Sequence, residues 1–455
     1  MASLLIVATG LPSVVYASVE LARRLAAVGH RVTFAGLSSA RELAEHHDLH
    51  FHPLDPSRYE QFLEADARVG RLRRLLNLRR RREQARESMA VDGFARAVRD
   101  LKPDLVLVNG EMHEHIIAAA GTGVRVALLN SFVSIWRQPG LPPPHCLVCP
   151  GVGWRGTRVG MSLLWLAFRL RKRARVVSQR IRRMGCDRLS VWRFLAHEVD
   201  FDFRGGIDDS QWLIPFTYRR LPVLSLHALE FEFAHHPPQR VRYVGPMVLE
   251  SRIDRPMTEE SRRTLDAIFE RRRRAEGGRK LIYAAFGSAF STDPDFLQRL
   301  VGVVVERPEW DLILSLSGRL APPDVGPLPD RVHAFSWLPQ LSVLKHTDVA
   351  VTHGGISSVD ECVLNEVPLL VYCGRETDMA GTTARVVHHQ IGIAGDRQRD
   401  STPVIQEHID RLLREHRFGD NLGRLRRQYG AYADDRVAER TVASLLERET
   451  HDRTR

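Results

Sequence analysis

The chain has 455 residues, and its 66 Lys and Arg against 55 Asp and Glu give a formal net charge of +11. Hydrophobic residues make up 44% and charged residues 27%, proportions that exclude a disordered or collagen-like chain. At about 150 residues per domain, this length predicts two to four units with their own cores. Five cysteines are too few for a disulfide scaffold and indicate a reducing compartment, so we expect a cytoplasmic protein.

Basic residues cluster in three runs, at 68–86, 169–183 and 271–274. Solvated helix faces explain the first and third runs. The second run follows the apolar segment 163–168, which contains Trp165, and this arrangement is also typical of a helix that lies on a membrane surface. Peripheral membrane contact is therefore an open alternative there. The sequence contains no zinc-finger, RRM or KH pattern beside these basic runs, so we expect no nucleic-acid partner.

Short apolar runs alternate with amphipathic helical stretches in the first half of the chain. The predicted strands cover 4–7, 31–35, 104–108 and 124–129. A helix is predicted over 17–28, and residues 136–156, rich in Pro and Gly, indicate a long loop before a helical section that ends near 200. Nearly continuous apolar strands that alternate with helices are typical of a parallel sheet covered on both faces.

A second alternating series begins near residue 281. Its predicted strands cover 281–285, 311–315, 332–335, 349–352 and 369–372. We therefore predict an α/β protein with two doubly wound, Rossmann-like domains. The first covers 1–243, a linker and helix cover 244–278, and the second covers 279–455. Such sheets bind ligands beyond the carboxyl ends of their strands, so we expect the site in the cleft between the domains.

Three short patterns in the sequence do not carry a function. Gly151 to Gly156 match G-x-G-x-x-G but follow a Pro-rich loop instead of a strand, so they fail the test for a dinucleotide site. Two D-x-D matches, at 200–202 and 293–295, are common by chance, and we expect no metal site. Cys146 and Cys149 lack the two further ligands that zinc needs.

The densest chemical signal follows the predicted strand 349–352. It contains His353, Gly354, Gly355, Ser357, Ser358 and Glu361. The glycines allow a tight turn, and the serines lie where the next helix begins, so hydroxyl and N–H groups converge on one spot that suits a phosphate. Glu361 lies about one turn further on and can accept bonds from sugar hydroxyls. A purely structural interpretation explains the same residues equally well: a helix cap, with glycines that allow close packing.

Together with Trp337-Leu-Pro-Gln340, this stretch resembles the donor-binding signature of the family-1 GT-B glycosyltransferases, which include UDP-glycosyltransferases and macrolide glycosyltransferases. The resemblance implies GT-B architecture and allows the last helix to pack back on the first domain. It also implies a contact for each residue: Trp337 with the base, Gln340 with the ribose, His353 with the α-phosphate, Ser357 and Ser358 with the β-phosphate, Glu361 with the ribose hydroxyls, and the loop with Gly287 and Ser288 with the diphosphate.

The sequence departs from the family at the sugar and at the general base. Where the family has Asp-Gln, this chain has Asp378-Met379, so Asp378 can bind sugar hydroxyls but Met379 cannot replace the amide.

The positions of the usual catalytic His and Asp hold Val14 and Asn109. Glu111 or His113, just beyond the strand 104–108, could take the acceptor's proton instead, or could cap and line the following helix.

The resemblance implies an inverting glycosyltransferase that uses no metal and no cofactor, with a nucleoside diphosphate sugar as co-substrate. We expect UDP in preference to dTDP, because Trp337 and Gln340 resemble the UDP type. The apolar, aromatic and Pro-rich region 136–180 favours an apolar, hydroxylated small molecule or a lipid-like acceptor. Two alternatives stay open: a catalytically silent protein that supports a partner enzyme, and a sugar-nucleotide epimerase on the same fold.

Overall fold

The computed structural model describes residues 1–252, 257–275, 278–286, 294–316, 318, 320, 322–374 and 377–447. The first domain is built on a seven-stranded sheet of order β3-β2-β1-β4-β5-β8-β9 in which neighbouring strands are parallel. Its strands are β1 (Ser3–Val7), β2 (Arg31–Gly36), β3 (His50–Pro53), β4 (Leu105–Asn109), β5 (Val126–Asn130), β6 (Ile207–Asp208), β7 (Thr217–Tyr218), β8 (Val223–Ser225) and β9 (Val241–Tyr243). The strands β6 and β7 form a separate antiparallel pair.

The helices of this domain follow the strands in the order expected of a doubly wound fold. They are α1 (Pro12–Ala27), α2 (Arg41–His46), α3 (Tyr59–Ala67), α4 (Arg71–Leu76), α5 (Leu78–Ser88), α6 (Val91–Leu101), α7 (His113–Ala120), α8 (Arg158–Arg182), α9 (Arg188–Glu198) and α10 (Phe203–Gly206). The helix predicted over 17–28 begins earlier, at Pro12, because a proline suits the first position of a helix, where no N–H partner is needed.

The second domain is built on a six-stranded parallel sheet of order β12-β11-β10-β13-β14-β15. Its strands are β10 (Lys280–Ala285), β11 (Trp310–Ser315), β12 (Val332–Phe335), β13 (Val349–Thr352), β14 (Leu369–Val371) and β15 (Gly392–Ala394). Its helices are α11 (Glu259–Arg274), α12 (Pro294–Val305), α13 (Gln340–Leu344), α14 (Ile356–Leu364), α15 (Met379–His388), α16 (Thr402–Arg414), α17 (His416–Asp434) and α18 (Val437–Glu447).

Both sheets are buried on both faces, as the nearly continuous apolar strands predict. In β1, Leu5 enters one core and Leu4 enters the core on the opposite face. In β10, Leu281 and Ile282 divide between two cores in the same way. Because successive side chains of a strand point to opposite faces, each sheet must be covered by helices on both sides. The predicted pair of doubly wound domains is confirmed.

The helix α18 packs on the first domain instead of the second. Ala438 and Val442 are fully buried in the core that also contains Val15 of α1. In addition, Arg125 donates a hydrogen bond to the carbonyl of Leu445 at 3.3 Å. The end of α18 is therefore bound to the segment that precedes β5 of the first domain.

A buried ion pair joins the two domains beside the cleft. Arg385 of α15 donates to Glu232 of the first domain at 2.6 Å, and both side chains are almost completely buried. His227 and the backbone N–H of Ser134 bind the other carboxylate oxygen at 2.9 and 2.5 Å. Burial alone would raise the pKa of Glu232, but the charge of Arg385 and the bond from His227 outweigh it and lower the pKa to about 2. The carboxylate is thus ionised and fixes α15 against the first domain.

The structure corrects the interpretation of the first basic run as a fully solvated face. Arg74 and Arg81 are buried, and both bind the buried carboxylate of Asp66, at 2.9 and 2.5 Å. The sequence could not show this, because Asp66 comes from the preceding helix.

Across the described ranges of the chain, no helix is both long enough and apolar enough to cross a bilayer.

Candidate functional site

The candidate site is a pocket between the two domains. The first domain contributes the start of α1, including Pro12 and Tyr16. The segment between the domains contributes Met247 and Arg252. The second domain contributes the ends of β10 and β13, Trp337 and the first turns of α14. The pocket thus lies beyond the carboxyl ends of the strands, where doubly wound sheets bind their ligands.

The turn after β13 forms the floor of this pocket. Gly354 has φ +84°, and a Cβ there would lie 2.8 Å from the hydroxyl oxygen of Thr383, so only glycine fits. The N-cap residue of α14 is Gly355, which has no side chain that could cap the helix. His353, Ser357 and Ser358 all line the pocket. The first turn of α14 therefore presents N–H groups, two hydroxyls and the positive end of the helix dipole to a ligand, an arrangement that binds phosphate.

His353 stands at the entrance of this turn with a neutral ring. Burial lowers its pKa to about 4, although a hydrogen bond to the backbone of Ala285 acts in the opposite direction. A Cβ on Gly355 would lie 2.8 Å from Nε2 of His353, so this glycine leaves room for the ring. The imidazole is therefore placed against the turn by backbone contacts on two sides.

Trp337 lines the same pocket with 37% of its surface exposed. Gly318 has φ +69°, and a Cβ there would lie 2.5 Å from the indole Nε1. The indole thus lies against bare backbone on one side and faces the pocket on the other. An exposed aromatic face in this position can stack on a heterocyclic base. Trp337 and the turn after β13 thus line the same pocket.

Glu361 is held by two partners that orient its carboxylate. Arg252 binds one oxygen at 2.7 Å, and Gln340 donates to the other. The guanidinium of Arg252 also lies 5.1 Å from the ring centre of Tyr16, a residue of the first domain. Tyr283 in turn donates to Gln340 at 3.3 Å. Each carboxylate oxygen can still accept a further bond, so Glu361 is orientated for a hydroxyl in the pocket.

The two candidates for the general base lie in different environments. His113, the first residue of α7, is buried between the rings of Trp192 and Phe216, 4.6 and 4.4 Å away. Burial lowers its pKa to about 3. The ring bonds the hydroxyl of Tyr218 at 3.2 Å. The structure thus places His113 in the core of the first domain and not in the cleft where the sequence places it.

Glu111 reaches solvent just beyond the end of β4. Its backbone N–H donates to the side chain of Asn109 at 3.1 Å, so Asn109 shapes this turn. Desolvation and the charge of Asp378 both raise the pKa of Glu111. Asp378 is the N-cap residue of α15, and burial raises its pKa as well. The structure therefore brings a carboxyl of each domain close together, outside the described lining of the interdomain pocket.

Two predicted donor-site residues, Gly287 and Ser288, lie outside the described residues. Phe286, directly before them, is buried and lines the pocket. Val14, in the usual position of the catalytic His, is buried in the core of the first domain.

Residues 239–428 match the model of the UDP-glucoronosyl and UDP-glucosyl transferase family. This match covers the linker, the Trp337 element and the turn after β13. Over these residues, the chain is similar to the family-1 GT-B glycosyltransferases.

Two curated glycosyltransferases and one solved glycosyltransferase structure are also similar to this chain. The oleandomycin glycosyltransferase of Streptomyces antibioticus is 31% identical over 145 residues, 30% of this chain and 33% of that protein. The ecdysteroid UDP-glucosyltransferase of Lymantria dispar multicapsid nuclear polyhedrosis virus is 30% identical over 213 residues, 46% of this chain and 39% of that protein. The matches thus span a third to two-fifths of these relatives. The glycotransferase of kitacinnamycin has a TM-score of 0.68 at 20% identity, with 98% of each chain covered, which confirms the GT-B fold.

Sequence reasoning missed several residues of this site. Arg252, Tyr16 and Tyr283 support Glu361 and Gln340 but come from the linker, α1 and β10. No local pattern marks them, because their contacts join residues that are far apart in the sequence. Gly318 carried a weak signal, since an isolated glycine after a buried strand often allows a close approach.

Asp360, beside Glu361 in this GT-B chain, makes the stability of the fold pH-dependent. Burial raises its pKa from 3.8 to about 8, although Tyr429 donates to it at 2.9 Å. Because the folded pKa lies above the unfolded one, this group stabilises the fold fully below the unfolded pKa. The contribution is lost as the pH rises through about 8.

We therefore expect Asp360→Asn to be more stable than the wild type above this pH, by about 1–3 kcal/mol. The difference should shrink on acidification. Thermal unfolding at several pH values measures it, and Glu366→Gln, an exposed site two turns away, is the control. A variant that is destabilised equally at every pH would contradict the assignment.

Proposed function

We propose that the chain is an inverting glycosyltransferase that moves a sugar from a nucleoside diphosphate sugar to a hydroxyl of an acceptor. The observation that carries this proposal is the interdomain pocket, in which Trp337, His353 and the first turn of α14 surround one cavity. A base, a ribose and a diphosphate have matching partners there. Transfer needs no bound metal in this proposal, because the helix dipole and His353 hold the charge of the leaving diphosphate.

The base in this reaction is proposed to be Glu111. Inversion requires a group that takes the acceptor's proton while the acceptor oxygen attacks the anomeric carbon. Of the two candidates, only Glu111 reaches solvent at the interdomain side, and His113 is enclosed by aromatic rings. Asp378, close to Glu111, is proposed to bind hydroxyls of the transferred sugar.

The proposed donor nucleotide is UDP. The orientated carboxylate of Glu361 can accept bonds from both hydroxyls of a ribose, whereas the sugar of dTDP lacks the 2′-hydroxyl. A hydrogen bond to a charged group contributes about 1.5–3 kcal/mol, so we expect UDP to bind about 10–100-fold more tightly than dTDP. Isothermal titration with UDP, dUDP and dTDP measures this, and dUDP separates the missing hydroxyl from the added methyl group.

Glu361→Gln is expected to reduce this preference, and Glu366→Gln, an exposed carboxylate near the end of the same helix, is its matched control. Equal binding of UDP and dUDP by the wild type would contradict the proposed role of Glu361. Binding of neither UDP nor dTDP would contradict the proposed function itself.

The proposed acceptor is an apolar molecule that carries a hydroxyl group. The segment 136–156 lies against the second domain, since the backbone N–H of Gly381 bonds the carbonyl of Pro144 at 2.7 Å. The helix α8 packs on this segment, because the indole of Trp165 donates to the carbonyl of Leu141. One relative is named for oleandomycin and the other for an ecdysteroid, both of which serve as test acceptors. Release of UDP from a UDP-sugar, measured with a panel of apolar alcohols, tests the transfer. A chain that binds the donor but glycosylates no acceptor would instead be a silent partner protein.

The proposed location is the cytoplasm. All five cysteines are free thiols in the structure, and three of them are buried. Free cysteines that are spread through the cores fit a reducing compartment.

A further inference from the structure

The helix α8 has one buried face and one exposed face. Its buried residues include Met161, Trp165 and Lys172. The indole of Trp165 donates to the carbonyl of Leu141 at 2.8 Å, and Lys172 donates to the carbonyl of Gln211 at 2.7 Å. These contacts fix the rotation of the helix, so its opposite face must point away from the first domain.

The exposed face of α8 is apolar. Six aliphatic side chains on it are between 50% and 71% exposed: Val159, Leu163, Leu166, Leu170, Val177 and Ile181. With about 100° of rotation per residue, their spacing places them in one stripe about 60° wide along the whole helix. Val152 and Trp154, just before the helix, are also about two-thirds exposed. Soluble monomers rarely expose so long an apolar stripe unless another surface covers it.

Positive charge flanks this stripe on both sides. The 25 residues of α8 contain no Asp or Glu. The same rotation places Arg169, Arg173 and Arg180 along one side and Arg171, Arg175 and Arg182 along the other. Within the described parts of the chain, no ion pair involves Arg169, Arg173 or Arg175, whereas the third basic run is paired with Glu270, Asp311 and Asp348.

We propose that this face of α8 binds the surface of a bilayer that contains anionic phospholipids, with the helix parallel to the membrane plane. The aliphatic stripe enters the boundary of the acyl chains, and the flanking arginines reach the phosphates of the headgroups. A second copy of this chain is a poorer occupant, because a symmetric contact would bring two sets of arginines together. A nucleic acid would pair with the arginines but would leave the stripe exposed.

The inference goes beyond the proposed function and does not depend on it. Vesicle flotation with the full chain tests it, with vesicles of phosphatidylcholine alone or mixed with phosphatidylglycerol. We expect the wild type to float with the anionic vesicles and to be released by salt. Leu163→Glu/Leu170→Glu is expected to lower the partition coefficient about 10-fold or more, since two leucines are lost from the interface.

The control is Val305→Glu, which replaces an exposed aliphatic side chain by one negative charge at the end of α12, in the second domain. It should float as the wild type does. Unchanged thermal unfolding of the double variant shows that it is folded, and UDP binding, measured separately, keeps a failure of the membrane proposal distinct from a failure of the proposed function. Three results would overturn the proposal. They are a wild type that does not float with anionic vesicles, an equal loss of vesicle binding in both variants, and a wild-type dimer that dissociates in the double variant but not in the control.

Discussion

Glu111→Gln is expected to lower kcat for sugar transfer by about 10²–10⁴-fold, the contribution of a positioned general base. Desolvation and the charge of Asp378 raise the pKa of Glu111, which makes its carboxylate a stronger base at neutral pH. Glutamine keeps the shape of the side chain but cannot take a proton. The rate of UDP release with a saturating acceptor measures the effect, and UDP binding should be unchanged, because Glu111 lies outside the described lining of the nucleotide pocket.

The pH dependence of kcat distinguishes a base from a structural residue. In the wild type, kcat should fall as the pH drops below the pKa of Glu111, because the protonated carboxyl cannot act. Asp378→Asn removes the charge that raises this pKa, so the acidic limb should move to lower pH. A Glu111→Gln enzyme that keeps the wild-type kcat and the wild-type acidic limb would show that another group takes the proton.

The sheets and the glycine turn after β13 could be predicted because their signals are local. Apolar strands such as β4 and β13 are fully buried, and burial on both faces leaves a continuous run of apolar residues in the sequence. The turn after β13 needs glycine at residue 354 for its backbone geometry, which is also visible in the sequence. The strands β8, β9 and β15 have three residues each, too few for any periodicity, and they form because neighbouring strands already present free backbone groups.

The surroundings of the catalytic candidates could not be predicted, because they depend on contacts distant in the sequence. Glu111 and His113 both follow β4, but His113 begins α7 and turns towards Trp192 and Phe216, far along the chain. No spacing rule distinguishes the two residues. The pairing of Glu111 with Asp378 likewise requires the two domains to meet, and the bond between Arg385 and Glu232 fixes α15 where they do.

His353→Ala is expected to weaken binding of UDP-glucose about 10–100-fold, because it removes a hydrogen bond to a charged phosphate. It should also lower kcat by about 10²–10³-fold, since negative charge on the diphosphate grows as the bond to the sugar breaks. His388→Ala, an exposed histidine at the end of α15, is the control and should bind and react as the wild type does. Titration calorimetry and UDP release measure the two effects.

The protonation of His353 gives this prediction a second, independent measurement. Without ligand its pKa is about 4, so the ring is neutral at physiological pH and one nitrogen is engaged with the backbone of Ala285. A bound diphosphate places negative charge beside the ring and raises this pKa, so binding takes up a proton. Affinity of the wild type should therefore increase as the pH falls and level off below about 4. UDP-glucose is the suitable probe because its diphosphate does not titrate in this range. His353→Ala should lose this pH dependence, and a variant that retains it would assign the proton to another group.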